Sequence, residues 1–108
     1  MVLLVTQTWY PPSQTEKAGK VYLEAMKKYP EDRALGKPIL RSGIKLEKEG
    51  IHGIAVFSVK EGKFKEAMDL AVNRMFILGE IEGMRMSIDT YYDLTEAMPF
   101  VGLSAPQD

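Results

Sequence analysis

Cysteine is absent from this chain of 108 residues, and histidine occurs only once. The absence of cysteine excludes disulfide scaffolds, thiolate nucleophiles, iron–sulfur clusters and cysteine zinc sites. A single histidine also leaves too few ligands for a histidine-rich metal site within one chain. We therefore expect no metal and no cofactor.

Long apolar runs and an excess of positive charge are missing as well. No run approaches the ~20 apolar residues that a membrane-spanning helix needs, so no membrane partner is expected. The formal net charge is −1, which disfavours a strongly basic nucleic-acid binder. What remains is an ordinary globular composition, with 45% hydrophobic and 27% charged residues. A chain of this length and composition predicts one domain with one core.

Runs of β-forming residues and amphipathic runs predict six elements. Four strands are expected at residues 2–10, 39–48, 51–60 and 84–92. The first helix is expected to begin at a capping box of Ser13 and Glu16 and to end before Pro30. The second follows Gly62, and Gly79 is expected to end it.

The order of these elements is βαββαβ, which predicts an α+β, ferredoxin-like fold. Right-handed crossovers place both helices on one face of a four-stranded antiparallel sheet with strand order 4-1-3-2. Residues 1–92 form this domain. Residues 93–108 form a C-terminal tail that is expected to pack on the domain or on a partner. Asp93 is expected to cap one short helical turn in the tail.

A two-residue turn at Glu49-Gly50 decides which side chains share each face of the sheet. The face under the helices is expected to carry Leu40, Ser42, Ile44, Leu46, Lys48, Ile51, Gly53, Ala55, Phe57, Val59, Met84, Met86 and Ile88. The second face, turned away from the helices, is expected to carry Arg41, Gly43, Lys45, Glu47, His52, Ile54, Val56, Ser58, Arg85, Ser87, Asp89 and Tyr91. Its centre, at Ile54 and Val56, is apolar.

Two helices can cover only one face of this sheet, so the second face needs another cover. An antiparallel sheet that is open to solvent shows polar residues on its open face, and the two central strands do not. Large apolar patches are rare on soluble monomers, so a second copy of the chain is the expected partner. The protein is therefore expected to be a homodimer or an assembly of dimers. The alternative is a monomer whose tail folds across the sheet.

The element order, the path from the first strand through Pro11-Pro12 into a helix, and the doubly covered central strands resemble the dimeric α/β-barrel superfamily. The resemblance spans residues 1–92 and implies that two four-stranded sheets pair face to face. The superfamily includes cofactor-free monooxygenases, polyketide cyclases and haem-degrading enzymes. The haem-degrading members use an Asn, a Trp and a His. This chain has Trp9 and His52 but only Gln7 as a substitute for the Asn, so that activity is not carried over.

The polar residues of the second face are expected to form two clusters, because we place the first and third strands parallel to each other. One rim is then expected to collect Trp9, Arg41, Ser58 and Arg85. The other rim is expected to collect Glu47, His52, Asp89 and Tyr91.

The first rim and the apolar centre form the predicted ligand site. Arg41 or Arg85 would hold a carboxylate or phenolate, since a guanidinium suits planar anions. Trp9, Ile54 and Val56 would contact the body of the ligand. The alternative role for the two arginines is an ion pair between subunits.

The second rim holds the catalytic candidates. His52 is a candidate general base, with Tyr91 and Asp89 as further candidates. The alternative is a solvated histidine that lies beside the hairpin and cross-strand from Glu47.

Two functions fit this sequence. The first is a homodimer that binds or transforms a small, partly aromatic, anionic molecule between its paired sheets. The second is a non-catalytic assembly or regulatory protein whose second face only builds an oligomer. The opening residues lack the basic region and cleavage site of a signal peptide, which predicts a cytoplasmic location.

Overall fold

A computed structural model describes residues 2–104 of the chain. The strands are β1 (Val2–Tyr10), β2 (Gly36–Glu47), β3 (Gly50–Val59) and β4 (Arg85–Tyr92). The helices are α1 (Thr15–Lys28), α2 (Phe64–Leu78) and the short α3 (Leu94–Ala97), and 3₁₀ turns cover Pro12–Gln14 and Met98–Val101. All four predicted strands and both predicted helices are present, each within a few residues of its expected position.

The strands form one antiparallel sheet with the order β2-β3-β1-β4, which is the predicted order read from the other edge. The helices α1 and α2 contact each other and pack on the same face of this sheet. The chain therefore has the ferredoxin-like α+β fold. The expected parallel orientation of the first and third strands is wrong, because β1 and β3 are neighbours and pair antiparallel. Instead, β1 runs parallel to β2, which lies beyond β3.

The hairpin between β2 and β3 turns one residue earlier than predicted. Glu47 pairs with Gly50, so the two loop residues are Lys48 and Glu49. Gly50 has a φ of 143°, and a Cβ at this position would lie 2.5 Å from the carbonyl oxygen of Tyr10. The pairing register is shifted by two residues from the predicted one, and a shift of two leaves each side chain on its predicted face.

Two bulges in β2 locally reverse which side chains face the helices and which lie on the second face. The register runs through the pairs Pro38–Phe57, Leu40–Val56 and Gly43–Ile54. One extra residue of β2 is therefore inserted on each side of Leu40. The assignment of Leu40 to the helix face is wrong, because it pairs with a second-face residue. A Cβ built on Gly43 would lie 3.1 Å from Leu40 Cδ2.

The helix α1 begins without the predicted capping box. Its N-cap residue is Gln14, whose side chain makes no capping hydrogen bond, because the 3₁₀ turn places the helix start beyond Ser13. Thr15 Oγ1 instead donates to the carbonyl oxygen of Pro12 at 2.6 Å. Gly79 ends α2 as predicted, but in a right-handed helical conformation rather than a left-handed one.

The core lies between the sheet and the helices and consists of two separate clusters. One contains Leu4, Leu35, Val59 and Ala67, and the other contains Ala18, Val21 and Ile81. Small side chains occupy the helix-facing positions in the middle of the sheet, at Thr6, Thr8, Gly53 and Ala55. The two clusters consequently do not merge into one.

The described part of the tail, residues 93–104, lies at the end of β4. Asp93 Oδ1 accepts a hydrogen bond from the Glu96 N–H at 2.9 Å, which confirms the predicted cap of α3. Tyr92 contacts Phe100 edge to face, with ring centroids 5.6 Å apart, yet Phe100 remains 74% exposed. The division of the chain into a domain and a tail stays a prediction. No helix within residues 2–104 is long and apolar enough to cross a membrane.

Candidate functional site

The second face has the apolar centre that the sequence predicts. Val5 of β1 pairs with Val56 of β3, and Ile54 lies on the same face. Leu40 joins them from β2 through the bulges and is 40% exposed. Asp89 of β4 pairs with Val5 from the other side. Both long helices lie on the opposite side of the sheet, so neither covers this centre; within the single chain Val5 is 7% exposed, and Ile54 and Val56 are partly exposed.

A hydrogen-bonded cluster around His52 lies at the end of the second face where β1 finishes. Nδ1 of His52 is 3.1 Å from Glu47 Oε1, and Nε2 is 2.8 Å from Gln7 Oε1. The imidazole stacks on the indole of Trp9, with centroids 4.7 Å apart and planes 9° apart. The side chain of His52 is only 17% exposed. The contact with Glu47 is the cross-strand arrangement that the sequence offered as the alternative to catalysis.

This cluster is suited to holding the aromatic pair in place. Both ring nitrogens of His52 are engaged by protein groups, so neither points freely at a substrate. The Gln7 amide can present its oxygen to Nε2 or, turned over, its NH₂ group, so it can serve either tautomer. The assignment of His52 as a general base stays a prediction.

Arg85 lies beside this cluster, as predicted for the rim that contains Trp9. Its guanidinium carbon is 6.0 Å from the centre of the Trp9 ring, within the range of a cation–π contact. Arg85 Nη2 also lies 4.0 Å from Glu49 Oε2, and both side chains are largely exposed. The structure therefore brings Trp9 and Arg85 together at an open edge.

The antiparallel pairing of β1 and β3 breaks up both predicted clusters. His52 pairs with Trp9 and so lies at the rim from which the sequence excluded it. Tyr91 and Ser58 both pair with Leu3, at the other end of β1. Trp9 lies six positions after Leu3 in β1, so at ~3.3 Å per residue the two ends are roughly 20 Å apart. The grouping of Tyr91 with His52, and of Ser58 with Trp9, is wrong.

Arg41 lies on the helix side of the sheet, not on the second face. The bulges in β2 turn it toward Glu31, to which it donates two hydrogen bonds, Nε to Oε1 at 2.6 Å and Nη2 to Oε2 at 3.2 Å. The hydrogen bond from Arg41 lowers the pKa of the Glu31 carboxyl, and the positive charge adds to this effect. The predicted place of Arg41 beside Arg85 is therefore wrong.

Two adjoining cavities lie between the sheet and the helices, with volumes of about 130 Å³ and about 240 Å³. Both are lined by Thr6, Tyr22, Arg41, Ala55, Met75 and Leu78. The smaller cavity is otherwise mainly apolar, and the larger one also reaches Thr8 and Ser42. Gly53 cannot fill this space with a side chain, because a Cβ there would lie 2.8 Å from Thr8 Oγ1. The sequence analysis did not predict an internal site on this side of the sheet.

Arg74 of α2 also lines the smaller cavity and was not among the predicted site residues. Its Nε donates to the carbonyl oxygen of Tyr29 at 2.8 Å. Its Nη2 is shielded from solvent and has no hydrogen-bond partner within residues 2–104. The sequence held a signal for it, because position 74 continues the apolar stripe of Ala67, Ala71 and Leu78 at helical spacing. A buried arginine on such an apolar stripe needs a hydrogen-bond acceptor, from the protein or from a ligand.

No group of three or more His, Cys, Asp or Glu side chains in the described part of the chain could hold a metal ion.

The sequence matches no protein-family model and no curated protein. Its structure is similar to that of a candidate antibiotic biosynthesis monooxygenase from Deinococcus radiodurans, with a TM-score of 0.55, 12% identity, and coverage of 85% of this chain and 91% of that one. A conserved protein from Methanosarcina mazei Go1 is similar with a TM-score of 0.54, 14% identity, and coverage of 83% and 89%. The de novo designed protein Foldit4 is similar with a TM-score of 0.52, 8% identity, and coverage of 85% and 96%. Likeness at these identities concerns the fold, and it confirms the resemblance in architecture that the sequence predicts.

Proposed function

We propose that this protein binds a small, partly aromatic molecule in the cavities between its helices and its sheet. The observation that carries this proposal is the pair of adjoining cavities of about 130 and 240 Å³. Ligand pockets typically measure ~300–1,000 Å³, so the space suits a compact ligand of one or two rings. The proposal moves the ligand from the space between paired sheets, where the sequence analysis expected it, to the inside of each chain.

The lining supports a ligand with an apolar body and a few polar groups. Apolar side chains such as Met75 and Leu78 form most of the wall, while Thr6, Tyr22 and Arg41 contribute polar atoms. Such a mixture is typical of pockets in which apolar contacts supply affinity and a few polar groups fix orientation. The similar protein from Deinococcus radiodurans is named for chemistry on small molecules, which favours the same class of ligand here.

The second part of the proposal is that two copies of the chain pack their second faces together. The apolar centre around Val5, Ile54, Val56 and Leu40 is flanked by polar groups at the end where His52 and Arg85 lie. An apolar centre with a polar rim is the usual anatomy of a protein interface. When two copies are related by a two-fold axis through such a patch, the same surface of each copy packs against the other, which is the usual arrangement of a homodimer. A cytoplasmic location stays a prediction.

The cavity proposal can be tested by filling the space. Ala55 lines both cavities, so Ala55→Leu is expected to occupy them while the protein still folds. We expect the unmodified protein to bind the neutral aromatic probe 2-naphthamide in isothermal titration calorimetry. Ala55→Leu should weaken that binding more than tenfold, because the added carbons take the place of the probe.

The matched control is Ala97→Leu, the same change made in the short helix α3. It should leave the affinity for 2-naphthamide unchanged. An unmodified protein that does not bind the probe, or an Ala55→Leu variant that binds it equally well, would contradict the cavity proposal. The first result would favour the alternative function, an assembly protein without a ligand, and the second would place the probe outside the cavities.

A further inference from the structure

Arg74 is placed unusually for a charged residue in this chain. It lies on the side of α2 that faces the sheet, among Leu70, Ala71 and Met75, and lines the smaller cavity with them. Its guanidinium is tethered at one point, through the Nε–H bond of 2.8 Å to the carbonyl oxygen of Tyr29. That bond leaves Nη2 buried, with no partner among the described residues. A buried donor without a partner costs free energy that a bound acceptor would recover.

The two carboxylates that line the cavity with Arg74 accept hydrogen bonds from other groups. Glu31 lines the same cavity, but both of its oxygens accept hydrogen bonds from Arg41. Asp32 also lines the cavity, and its Oδ1 accepts from the Ala34 N–H at 2.9 Å. Desolvation is the main cause that lowers the pKa of Arg74, and Tyr22 and Glu31 act in the opposite direction. Even when lowered, an arginine pKa keeps the side chain positively charged at neutral pH.

We propose that Arg74 is the anion anchor of the cavity and that the ligand carries a carboxylate on its aromatic body. This inference rests on the proposed function, because it assigns a chemical class to the ligand of the same cavity. The buried Nη2–H would donate to one carboxylate oxygen, forming a charge-assisted hydrogen bond. The apolar wall formed by Leu4, Phe57 and Leu70 would contact the ring system.

A monoanionic carboxylate fits this site better than a phosphate group. Only one guanidinium is available, since Arg41 is already engaged by Glu31 in two hydrogen bonds. A guanidinium edge suits the planar carboxylate group. The cavity is also largely apolar, and the further charged oxygens of a phosphate would need partners that its wall does not supply.

The test compares two probes of nearly equal shape, 2-naphthoate and its neutral counterpart 2-naphthamide, by isothermal titration calorimetry at neutral pH. The unmodified protein is expected to bind 2-naphthoate about tenfold or more tightly than 2-naphthamide, because both probes can accept a hydrogen bond from Nη2 but only the carboxylate carries a negative charge that pairs with the guanidinium. Arg74→Met should remove that preference, so that the two probes bind this variant with similar affinity. The matched control Arg85→Met, on the exposed rim of the second face, should preserve the preference.

The outcomes separate this inference from the cavity proposal. Equal binding of the two probes by the unmodified protein would overturn the carboxylate assignment and leave the cavity standing. A preference lost in Arg85→Met but kept in Arg74→Met would place the anion on the second face and also overturn it. Failure of both probes to bind would overturn the cavity proposal and this inference together. Should Arg74→Met fail to fold by circular dichroism, the inference still requires that Arg85→Met keep the preference and that Ala55→Leu weaken the binding of 2-naphthoate; failure of either would overturn it.

Discussion

Arg41 and Arg74 line the same cavity but differ in what surrounds each guanidinium. Arg41 donates two hydrogen bonds to Glu31, and the carboxylate raises the pKa of Arg41. Arg74 is tethered by a backbone carbonyl, and desolvation lowers its pKa. Arg41 is therefore engaged by a carboxylate, whereas Arg74 has a buried donor without a partner among residues 2–104.

The Arg41–Glu31 pair gives a prediction about pH. The pKa of Glu31 is lowered in the folded protein, first by the hydrogen bond from Arg41, so the pair stabilises the fold above the ordinary carboxyl pKa. That contribution is lost as the pH falls through the lowered pKa of the folded state. Arg41→Met should raise the Glu31 pKa toward its ordinary value, as measured by NMR titration of the side-chain carboxyl. An unchanged Glu31 pKa in this variant would contradict the placement of Arg41 on the helix side.

Residues on the second face show what a sequence can and cannot say about a site. The contact of His52 with Glu47 was predicted correctly because it needs only the register of one hairpin. The neighbourhood of Trp9 and Arg85 was predicted correctly because β1 and β4 are antiparallel neighbours, as expected from the strand order. The contact of His52 with Trp9 was missed because it depends on strand direction across the sheet. Arg74 was missed because helical spacing places it on the apolar stripe of α2 but does not reveal the cavity that it lines.

Among the secondary-structure elements, β2 is the strand whose bulges and local face assignments could not be predicted. The order of the elements, the sheet topology and most assignments of side chains to a sheet face follow from hydrophobic periodicity and from the right-handedness of crossovers. The bulges do not, because the stretch from Pro38 to Gly43 has no regular alternation for a bulge to interrupt. A bulge is defined by the partner strand, so a single strand's sequence carries little information about it.

The start of β2 also supports a prediction about stability. Gly36 has a φ of 146°, and a Cβ there would overlap the carbonyl oxygen of Ser58 on the paired strand. Gly36→Ala should therefore lower the free energy of unfolding by about 1–3 kcal/mol. Gly19→Ala is the control, because Gly19 lies within α1 and a Cβ there meets nothing within 4 Å.

Urea unfolding followed by circular dichroism measures both variants. Gly19→Ala should raise the free energy of unfolding by about 0.5–1 kcal/mol, since alanine is the better helix former. Equal effects of the two substitutions would show that β2 does not begin in the strained conformation described for Gly36.

At the scale of the whole molecule, the second face decides whether the protein exists as one chain or two. Val56→Asp places a carboxylate at the apolar centre of that face, where burial without a partner costs several kcal/mol by general estimates. We expect this variant to elute as a monomer and the unmodified protein as a dimer, with masses measured by light scattering. The mass of one chain is 12.2 kDa.

Lys63→Asp is the control for this experiment. Lys63 is exposed at the N-cap of α2, where an acidic residue is favourable for the helix. It should leave the dimer intact. An unmodified protein with the mass of a single chain at micromolar concentration would rule out the proposed dimer.

The space between the two core clusters has a consequence for the heat capacity of the protein. The cavities of about 130 and 240 Å³ are lined mainly by apolar side chains and are open to solvent, so water contacts these side chains in the unliganded protein. A ligand that displaces this water buries apolar surface, and burial of apolar surface lowers the heat capacity. Binding in the cavities is therefore expected to carry a negative heat-capacity change.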